Sequence, residues 1–143
     1  MSRERGGGAI MQKITITWQR LVEADGQTCP RCGNTGENLA LAVKSLQQAL
    51  QPLGIEVVLE SRTITPQAFQ GDPLQSNRIW IAGTPLEEWL GADTGSSRCC
   101  SSCGDSECRT LSLDAQEYES IPVELVVKAG LLAAARLVQK QSP

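Results

Sequence analysis

A change of period in the first half of the chain restricts its fold more than any other feature. Residues 13–18, KITITW, alternate apolar and polar side chains, as a half-buried strand does. Apolar residues then recur at helical spacing, before residues 55–64, IEVVLESRTI, return to alternation. The helical positions are Leu39, Val43, Leu46, Leu50 and Leu53, and Pro52 and Gly54 mark the helix end. The link between the end of this helix and the strand at 55–64 is very short. Strand, helix and strand are therefore predicted to form a βαβ unit with parallel strands and a right-handed crossover.

The remainder of the chain predicts a short third strand and a final helix. Residues 65–77 are expected to form a loop with one helical turn, and RIWIAG, 78–83, to form a strand. The stretch TPLEEWLGA fits either a capping box with proline at the first helical position or a tight hairpin through Gly83. We expect a hairpin strand that leads into a short helix. Residues 120–140 predict a helix with a narrow polar stripe, buried against the sheet or in part against a second subunit.

Length and composition indicate one domain. A chain of 143 residues can bury one ordinary core, and we expect a flexible leader over 1–11 and the domain over 12–140. The leader lacks the apolar run of a secretory signal, and no apolar run is long enough to span a bilayer. A net charge of -3 disfavours nucleic acid as a partner. A cytoplasmic location follows as an expectation, and clustered cysteines there are more often catalytic or metal-binding than structural disulfides.

All six cysteines lie in two stretches, and the chain has no histidine. In the first stretch, TCPRC, Cys29 is expected just before the first helical turn, where unpaired N–H groups and the helix dipole favour a thiolate. Arg31 adds a positive charge, and Cys32 is placed to resolve a mixed disulfide. A redox pair is the favoured interpretation, because C-x-x-C beside a βαβ pattern is typical of it. Half of a zinc site and an inert pair are the alternatives.

Three further motifs carry a resemblance to a known family: TCPRCGNTGENL, RIWIAGTPLEEWLGA and CGDSECRT. With them the chain resembles the thioredoxin-like superfamily, and within it an uncharacterised prokaryotic group with an early C-P-x-C and a late cluster ending in E-C-R. The resemblance implies an α/β fold: a single thioredoxin-like domain with a central mixed sheet flanked by helices. It also implies that Cys29 attacks, that Cys32 resolves, and that redox chemistry needs no cofactor. The chain departs from thioredoxins at Asn77, where a cis-proline is usual, and at Thr28, where tryptophan is common.

The second stretch is a cysteine-rich loop predicted at about 91–110, before the C-terminal helix. Four thiolates can hold zinc, which makes zinc the candidate metal; the ligands would be Cys99, Cys100, Cys103 and Cys108. An iron–sulfur cluster, a trap for thiophilic metals, a thiol relay to the first pair and a disulfide staple are alternatives. The charges around the cysteines, among them Arg98 and Arg109, are interpreted as solvated loop charges, and Glu87 and Glu88 as a helix start.

The absence of histidine excludes imidazole ligands and Cys-His or Ser-His-Asp nucleophiles, which leaves sulfur chemistry. We therefore expect a thiol–disulfide oxidoreductase that acts on a protein or small-molecule disulfide and whose second cluster binds metal or relays thiols. The alternative is a non-enzymatic protein that binds zinc or a toxic thiophilic metal through its thiolates. Either protein could form a homodimer through the C-terminal helix.

Overall fold

The computed structural model describes residues 12–21, 30–98 and 107–141, so the predicted leader lies outside the described residues. Within these ranges seven strands and four helices follow one another, with short 3-10 turns at Gln51–Leu53 and Pro73–Gln75. In chain order they are β1 (Gln12–Leu21), α1 (Pro30–Leu50), β2 (Ile55–Ile64), α2 (Pro66–Gly71), β3 (Arg78–Ile81), β4 (Thr84–Pro85), α3 (Leu86–Leu90), β5 (Asp93–Arg98), β6 (Glu107–Leu113), β7 (Gln116–Tyr118) and α4 (Val123–Gln141).

A mixed sheet with the strand order β2-β1-β3-β4 forms the centre of the protein. β1 and β2 are parallel and pair from Gln12 with Ile55 onward, which confirms the predicted βαβ unit. β3 runs antiparallel to β1, and β4 returns antiparallel to β3. The predicted hairpin is also confirmed: Ala82 and Gly83 have φ of 54° and 82°, as in the turns that match strand twist. This α/β architecture, with a central mixed sheet flanked by helices, is consistent with a single thioredoxin-like domain.

The main core lies between this sheet and the helices α1 and α4. β1 contributes Ile14, Ile16 and Trp18, each at most 5% exposed, and the buried face of α1 contributes Leu39, Ala42, Val43, Leu46 and Leu50. Full burial of one such large side chain is worth about 1.5–3 kcal/mol. The prediction that Leu53 belongs to this face is wrong. It lies in the 3-10 turn after the helix, where it is 53% exposed.

α4 has one buried side and one exposed side. Its small residues Ala129, Ala133 and Ala134 are buried, and a Cβ at Gly130 would lie 2.5 Å from Leu46 Cδ1, so α1 and α4 approach closely here. On the other side Leu131 and Leu132 are 44% and 42% exposed. Neither α4 nor any other helix in the described part of the chain has the length and apolarity needed to cross a membrane.

A second, three-stranded antiparallel sheet of order β5-β6-β7 occupies much of the region predicted as a cysteine-rich loop. The predicted bounds of about 91–110 are therefore too wide, because β5 and β6 pair from Asp93 with Ser112 to Arg98 with Glu107. Residues 99–106, between the two strands, lie outside the described residues. The insertion before α4 is thus a strand pair that carries the cysteine-rich segment, and β7 connects it to the final helix.

Candidate functional site

The early cysteine pair is placed at the start of α1. This helix of 21 residues begins at Pro30, one residue after Cys29, and the main chain of Cys32 lies in its first turn. Cys29 itself lies outside the described residues. The first four N–H groups of a helix have no partner within the helix, and the dipole adds about half a positive charge there. The predicted helix start directly after Cys29 is therefore confirmed, while the role of the pair and its thiol chemistry stay predictions.

Asn77 lies directly before β3, as predicted from the sequence, and it is buried. Its φ of 56° is a left-handed conformation that asparagine tolerates better than most residues. Its Oδ1 accepts a hydrogen bond from Trp18 Nε1–H at 3.3 Å, and its Nδ2 donates to Glu119 O at 3.1 Å. Asn77 therefore holds three separate parts of the chain together.

Trp18 connects Asn77 to the first turns of α1. Gly36 lies against its ring, since a Cβ at that position would be 2.6 Å from Trp18 Cη2. Real Cβ atoms essentially never come so close, so glycine is needed for this approach of helix and indole. Trp18 is 5% exposed, and its only polar atom is paired with Asn77. The beginning of α1 thus rests on a rigid, fully packed support.

A three-residue segment, Glu119–Ile121, which we call the connector, fastens the same end of α1. Thr35 Oγ1 accepts from the Ile121 N–H at 3.1 Å, and Asn38 Nδ2 donates to Ile121 O at 2.9 Å. Thr35 is buried and lies three residues after Cys32. The connector therefore fixes the position of the helix start relative to β7, the strand that precedes the connector.

The connector also holds the cysteine-bearing strand pair. Ser97 Oγ donates to Glu119 Oε2 at 3.0 Å, and Ser97 is the register partner of Cys108 on β6. One short segment thus contacts both the first turns of α1 and the end of the β5–β6 pair. The topology brings Cys32 and Cys108 to the same end of the molecule.

A buried ion pair joins α3 to β6 beside Cys108. Arg109 Nη2 lies 2.9 Å from Glu87 Oε2, Arg109 Nε donates to the same oxygen at 3.0 Å, and the two residues are 8% and 9% exposed. Arg109 also donates to Leu74 O at 2.8 Å and to Thr94 Oγ1 at 2.9 Å. Glu87 Oε1 is buried and has no hydrogen-bond partner among the described residues. The expectation that Arg109 is a solvated loop charge is wrong, because β6 turns it toward α3.

Sequence reasoning missed this pair because its members are 22 residues apart, one on α3 and the other on β6. Glu87 does lie in the first turn of a short helix, as predicted, but that helix begins at Leu86 without a side-chain cap, so no capping box forms. One signal in the sequence could have indicated the pair: both charged residues have apolar neighbours in the chain. These neighbours, Leu86, Leu90 and Leu111, are buried. A charge among core positions is almost always paired.

The late cluster is only partly within the described residues. Cys108 lies on β6 opposite Ser97, whereas Cys99, Cys100 and Cys103 lie in the segment 99–106. Arg98 and Glu107 are register partners, so the two ends of that segment are held as neighbours. Over 12–21, 30–98 and 107–141 no group of three or more Cys, Asp or Glu side chains could hold a metal ion. The zinc site therefore stays a prediction that rests on the cysteines themselves.

Fold and site together define an α/β protein with a central mixed sheet, in which a helix start and a cysteine-bearing strand pair share one end of the molecule. The model of the family described as "Domain of unknown function (DUF2703)" matches residues 14–130, and the chain belongs to this family. The matched range includes all six cysteines. A protein of Archaeoglobus fulgidus described as "Uncharacterized protein" is 49% identical over 114 residues, which cover 80% of this chain and 82% of the relative. No solved structure matches the chain significantly.

Proposed function

We propose that this protein is a thiol–disulfide oxidoreductase of the cytoplasm that uses Cys29 and Cys32 on a disulfide in a protein or a small molecule. One observation carries the proposal: α1 begins at Pro30, immediately after Cys29, on the crossover of a parallel βαβ unit. A C-x-x-C pair at a helix start has a depressed thiol pKa, because the unpaired N–H groups stabilise the thiolate. The thioredoxin-like resemblance of the sequence supports the same assignment.

The reaction divides into two exchanges of thiolate and disulfide. The Cys29 thiolate attacks one sulfur of the substrate disulfide, so that a mixed disulfide forms and the other substrate sulfur leaves as a thiolate. The Cys32 thiolate then attacks Cys29 Sγ and releases the second substrate sulfur. The substrate gains two electrons as two thiols, and the protein loses them as the Cys29–Cys32 disulfide. A dithiol reductant returns the protein to its reduced form.

The surroundings of the helix start favour such a role. Trp18 lies against Gly36 and donates a hydrogen bond to Asn77, and the connector holds Thr35. Exchange requires both sulfurs to meet a substrate sulfur in line, and a fixed helix start reduces the motion that would have to be lost. Because both polar ends of the Asn77 side chain are already bound, we expect main-chain groups rather than this side chain to contact a substrate.

The decisive experiment measures the alkylation rate of every cysteine against pH, read by peptide mass from fully reduced protein. We expect Cys29 to react fastest, with an apparent pKa below that of a free thiol. Cys29→Ser should abolish disulfide-reductase turnover, and Cys32→Ser should accumulate a mixed disulfide on Cys29. Full turnover by Cys29→Ser, or titration of Cys29 like a free thiol, would remove the oxidoreductase assignment.

For the late cluster we propose metal binding, with zinc as the first candidate, or a relay of thiols to the early pair. The pairing of Arg98 with Glu107 supports both roles, because it holds the ends of the cysteine segment together and lowers the entropy lost when its thiolates converge. The contacts of the connector with Ser97 and with α1 favour the relay in particular. If the early pair proves inert, the protein is instead a non-enzymatic thiolate metal-binding protein.

Zinc competition on the reduced protein separates these roles. A separate metal site is indicated if the parent protein binds zinc stoichiometrically and a variant with Ser at Cys99, Cys100, Cys103 and Cys108 loses the zinc but retains turnover. The relay is indicated if the same variant no longer reduces the disulfide substrate and the parent protein binds no zinc. A parent that holds no metal and a variant that turns over normally would leave the late cluster without either role.

We also propose that a second copy covers the exposed side of α4. Leu131 and Leu132, with Val127, line a shallow apolar groove of about 420 Å³ that Glu124 and Lys128 border. An acid and a base on one helical stripe suit a two-fold contact between antiparallel helices, in which each charge meets its opposite. Light scattering should show a dimer in the parent protein and a monomer in Leu131→Glu. A monomeric parent contradicts this contact.

A further inference from the structure

A cleft of about 160 Å³ lies at the end of the main sheet opposite to the start of α1. Lys13, near the start of β1, lines it, whereas the chain leaves the other end of β1 toward Cys29. Eight residues separate Lys13 from Leu21, so the two ends of the strand are roughly 26 Å apart. The cleft is therefore spatially independent of the proposed redox site, and neither assignment depends on the other.

The charge of the cleft differs from that of the whole chain. Among the described residues its lining contains two cations, Lys13 and Arg136, and no carboxylate, although the protein carries a net charge of -3. The rest of the lining is one hydroxyl residue, Thr84, and five apolar residues: Ile14, Ala82, Trp89, Ala133 and Leu137. Two cations beside an apolar surface favour the binding of an anion that also has an apolar part.

Arg136 is pre-oriented in this cleft. Its guanidinium carbon lies 4.5 Å from the centroid of the Trp89 ring, a cation–π geometry. Trp89 is itself fixed, because its Nε1–H donates to Ile81 O at 2.8 Å. Stacking uses the face of the guanidinium and leaves its N–H edge for a carboxylate, which binds in a planar fork. An ordered arginine of this kind loses little side-chain freedom when an anion binds.

The rim of the cleft contains an unfavourable backbone conformation. Ala82 lines the cleft and has a φ of 54°, in the first position of a turn where asparagine, aspartate or glycine is preferred. Such strain costs about 1 kcal/mol and is concentrated at functional sites. A methyl group also leaves the mouth of the cleft wider than the preferred asparagine side chain would. The conformation and size of Ala82 thus agree with a cleft that is kept open.

We propose that this cleft binds a small organic carboxylate, with its carboxylate between Lys13 and Arg136 and its apolar body against Ile14, Trp89 and Leu137. Its volume of about 160 Å³ admits a short-chain acid. The carboxylate forms charge-assisted hydrogen bonds with the two cations, while the chain of the ligand buries apolar area. Affinity therefore rises with chain length until the cleft is filled.

The test titrates the full reduced chain with acetate, butyrate and hexanoate at constant ionic strength. The readout is the indole N–H resonance of Trp89 in a ¹H–¹⁵N spectrum, assigned with Trp89→Phe. We expect saturable shifts, with butyrate binding more tightly than acetate. Lys13→Gln and Arg136→Gln should each weaken butyrate about tenfold or more. Both residues are exposed, so these variants keep the fold, and the helical circular dichroism verifies this.

Lys44→Gln is the matched control, because it removes the same charge from an exposed position on α1 outside the cleft. It should leave butyrate binding within twofold of the parent. The proposal is overturned if no acid gives a saturable shift, if acetate and butyrate bind equally, or if Lys44→Gln weakens binding as much as Arg136→Gln. Alkylation of Cys29 is measured in parallel, so a failed redox assignment and an empty cleft give separate results.

Discussion

The two sheets of this protein are stabilised in different ways. Of the twenty buried apolar residues in the described ranges, Leu111 alone belongs to the strands β5, β6 and β7. The main sheet and its helices bury the others, apart from Ile121 in the connector. The second sheet instead depends on polar contacts: Arg109 with Glu87, Thr110 with Glu117, and Ser97 with Glu119.

This difference shows which contacts stabilise the fold and which contacts set the positions of the strands. Apolar burial is non-directional and roughly proportional to area, so the main sheet tolerates changes that preserve volume. A buried ion pair contributes little net stability, since desolvation offsets most of the attraction, but it imposes one geometry. We therefore interpret the main sheet as the source of stability and the Arg109 network as the device that sets where the cysteine-bearing strands lie.

The largest expected effect is the loss of Arg109. Arg109→Met leaves the Glu87 carboxylate buried without its partner and removes the donors to Leu74 O and Thr94. We expect the free energy of unfolding to fall by about 3–5 kcal/mol. Hydrogen exchange should also accelerate in β6 before it does in β1. Urea denaturation and exchange mass spectrometry measure the two effects.

A double variant sharpens this result. Glu87→Leu combined with Arg109→Met removes both charges, so it should be more stable than Arg109→Met alone. Lys44→Met, on the exposed side of α1, is the control for loss of a cation and should change the free energy of unfolding by less than about 0.5 kcal/mol. A double variant no more stable than Arg109→Met would show that the pair does not act as a unit.

In the main core, Leu46→Ala should lower the free energy of unfolding by about 2–5 kcal/mol, because Leu46 is 1% exposed and its loss leaves a cavity. Here we expect β1 and α1 to lose protection together with the rest of the molecule. Gly130→Ala places a methyl group against the same leucine and should cost about 1–3 kcal/mol by overpacking. Combining the two changes should cost less than their sum, which a double-mutant cycle tests.

Asn77 lies between the two regions, and a smaller effect is expected there. Asn77→Gly keeps the left-handed backbone but leaves Trp18 Nε1–H and Glu119 O without this partner. The free energy of unfolding should fall by about 1–3 kcal/mol. The free energy of unfolding should fall further in Asn77→Ala, because alanine is strained at a φ of 56°. Equal stability of the two variants would mean that backbone strain is unimportant at this position.

The smallest effect is expected at Leu53. Despite its place in the apolar pattern of the helix, it is 53% exposed. Leu53→Ala should change the free energy of unfolding by less than about 0.5 kcal/mol, against the several kcal/mol expected for Leu46→Ala. A large loss at Leu53 would indicate that it packs against something beyond the described residues or against a second molecule.

The sequence predicted the main sheet well because its signals are local. Alternation in KITITW and the spacing of Leu39, Val43 and Leu46 each specify an element within a few residues. The second sheet lacks such a signal: β5 reads DTGSSR, with glycine and serine where β-branched residues are typical. Its position depends on Arg109 and Glu87, whose contact exists only after two distant elements have met. The helix that follows Cys29 was predicted correctly for the same local reasons.

The order of the elements along the chain has a consequence for synthesis. The second sheet is inserted between α3 and α4, and α4 covers part of the core that β1 and α1 have already begun. Translation delivers the chain from its N-terminus, so the segment with four cysteines leaves the ribosome before the last helix does. Those thiols emerge while the apolar surface of β1 and α1 is not yet covered by α4. Rapid supply of reductant or metal during translation would protect this protein at its most vulnerable moment.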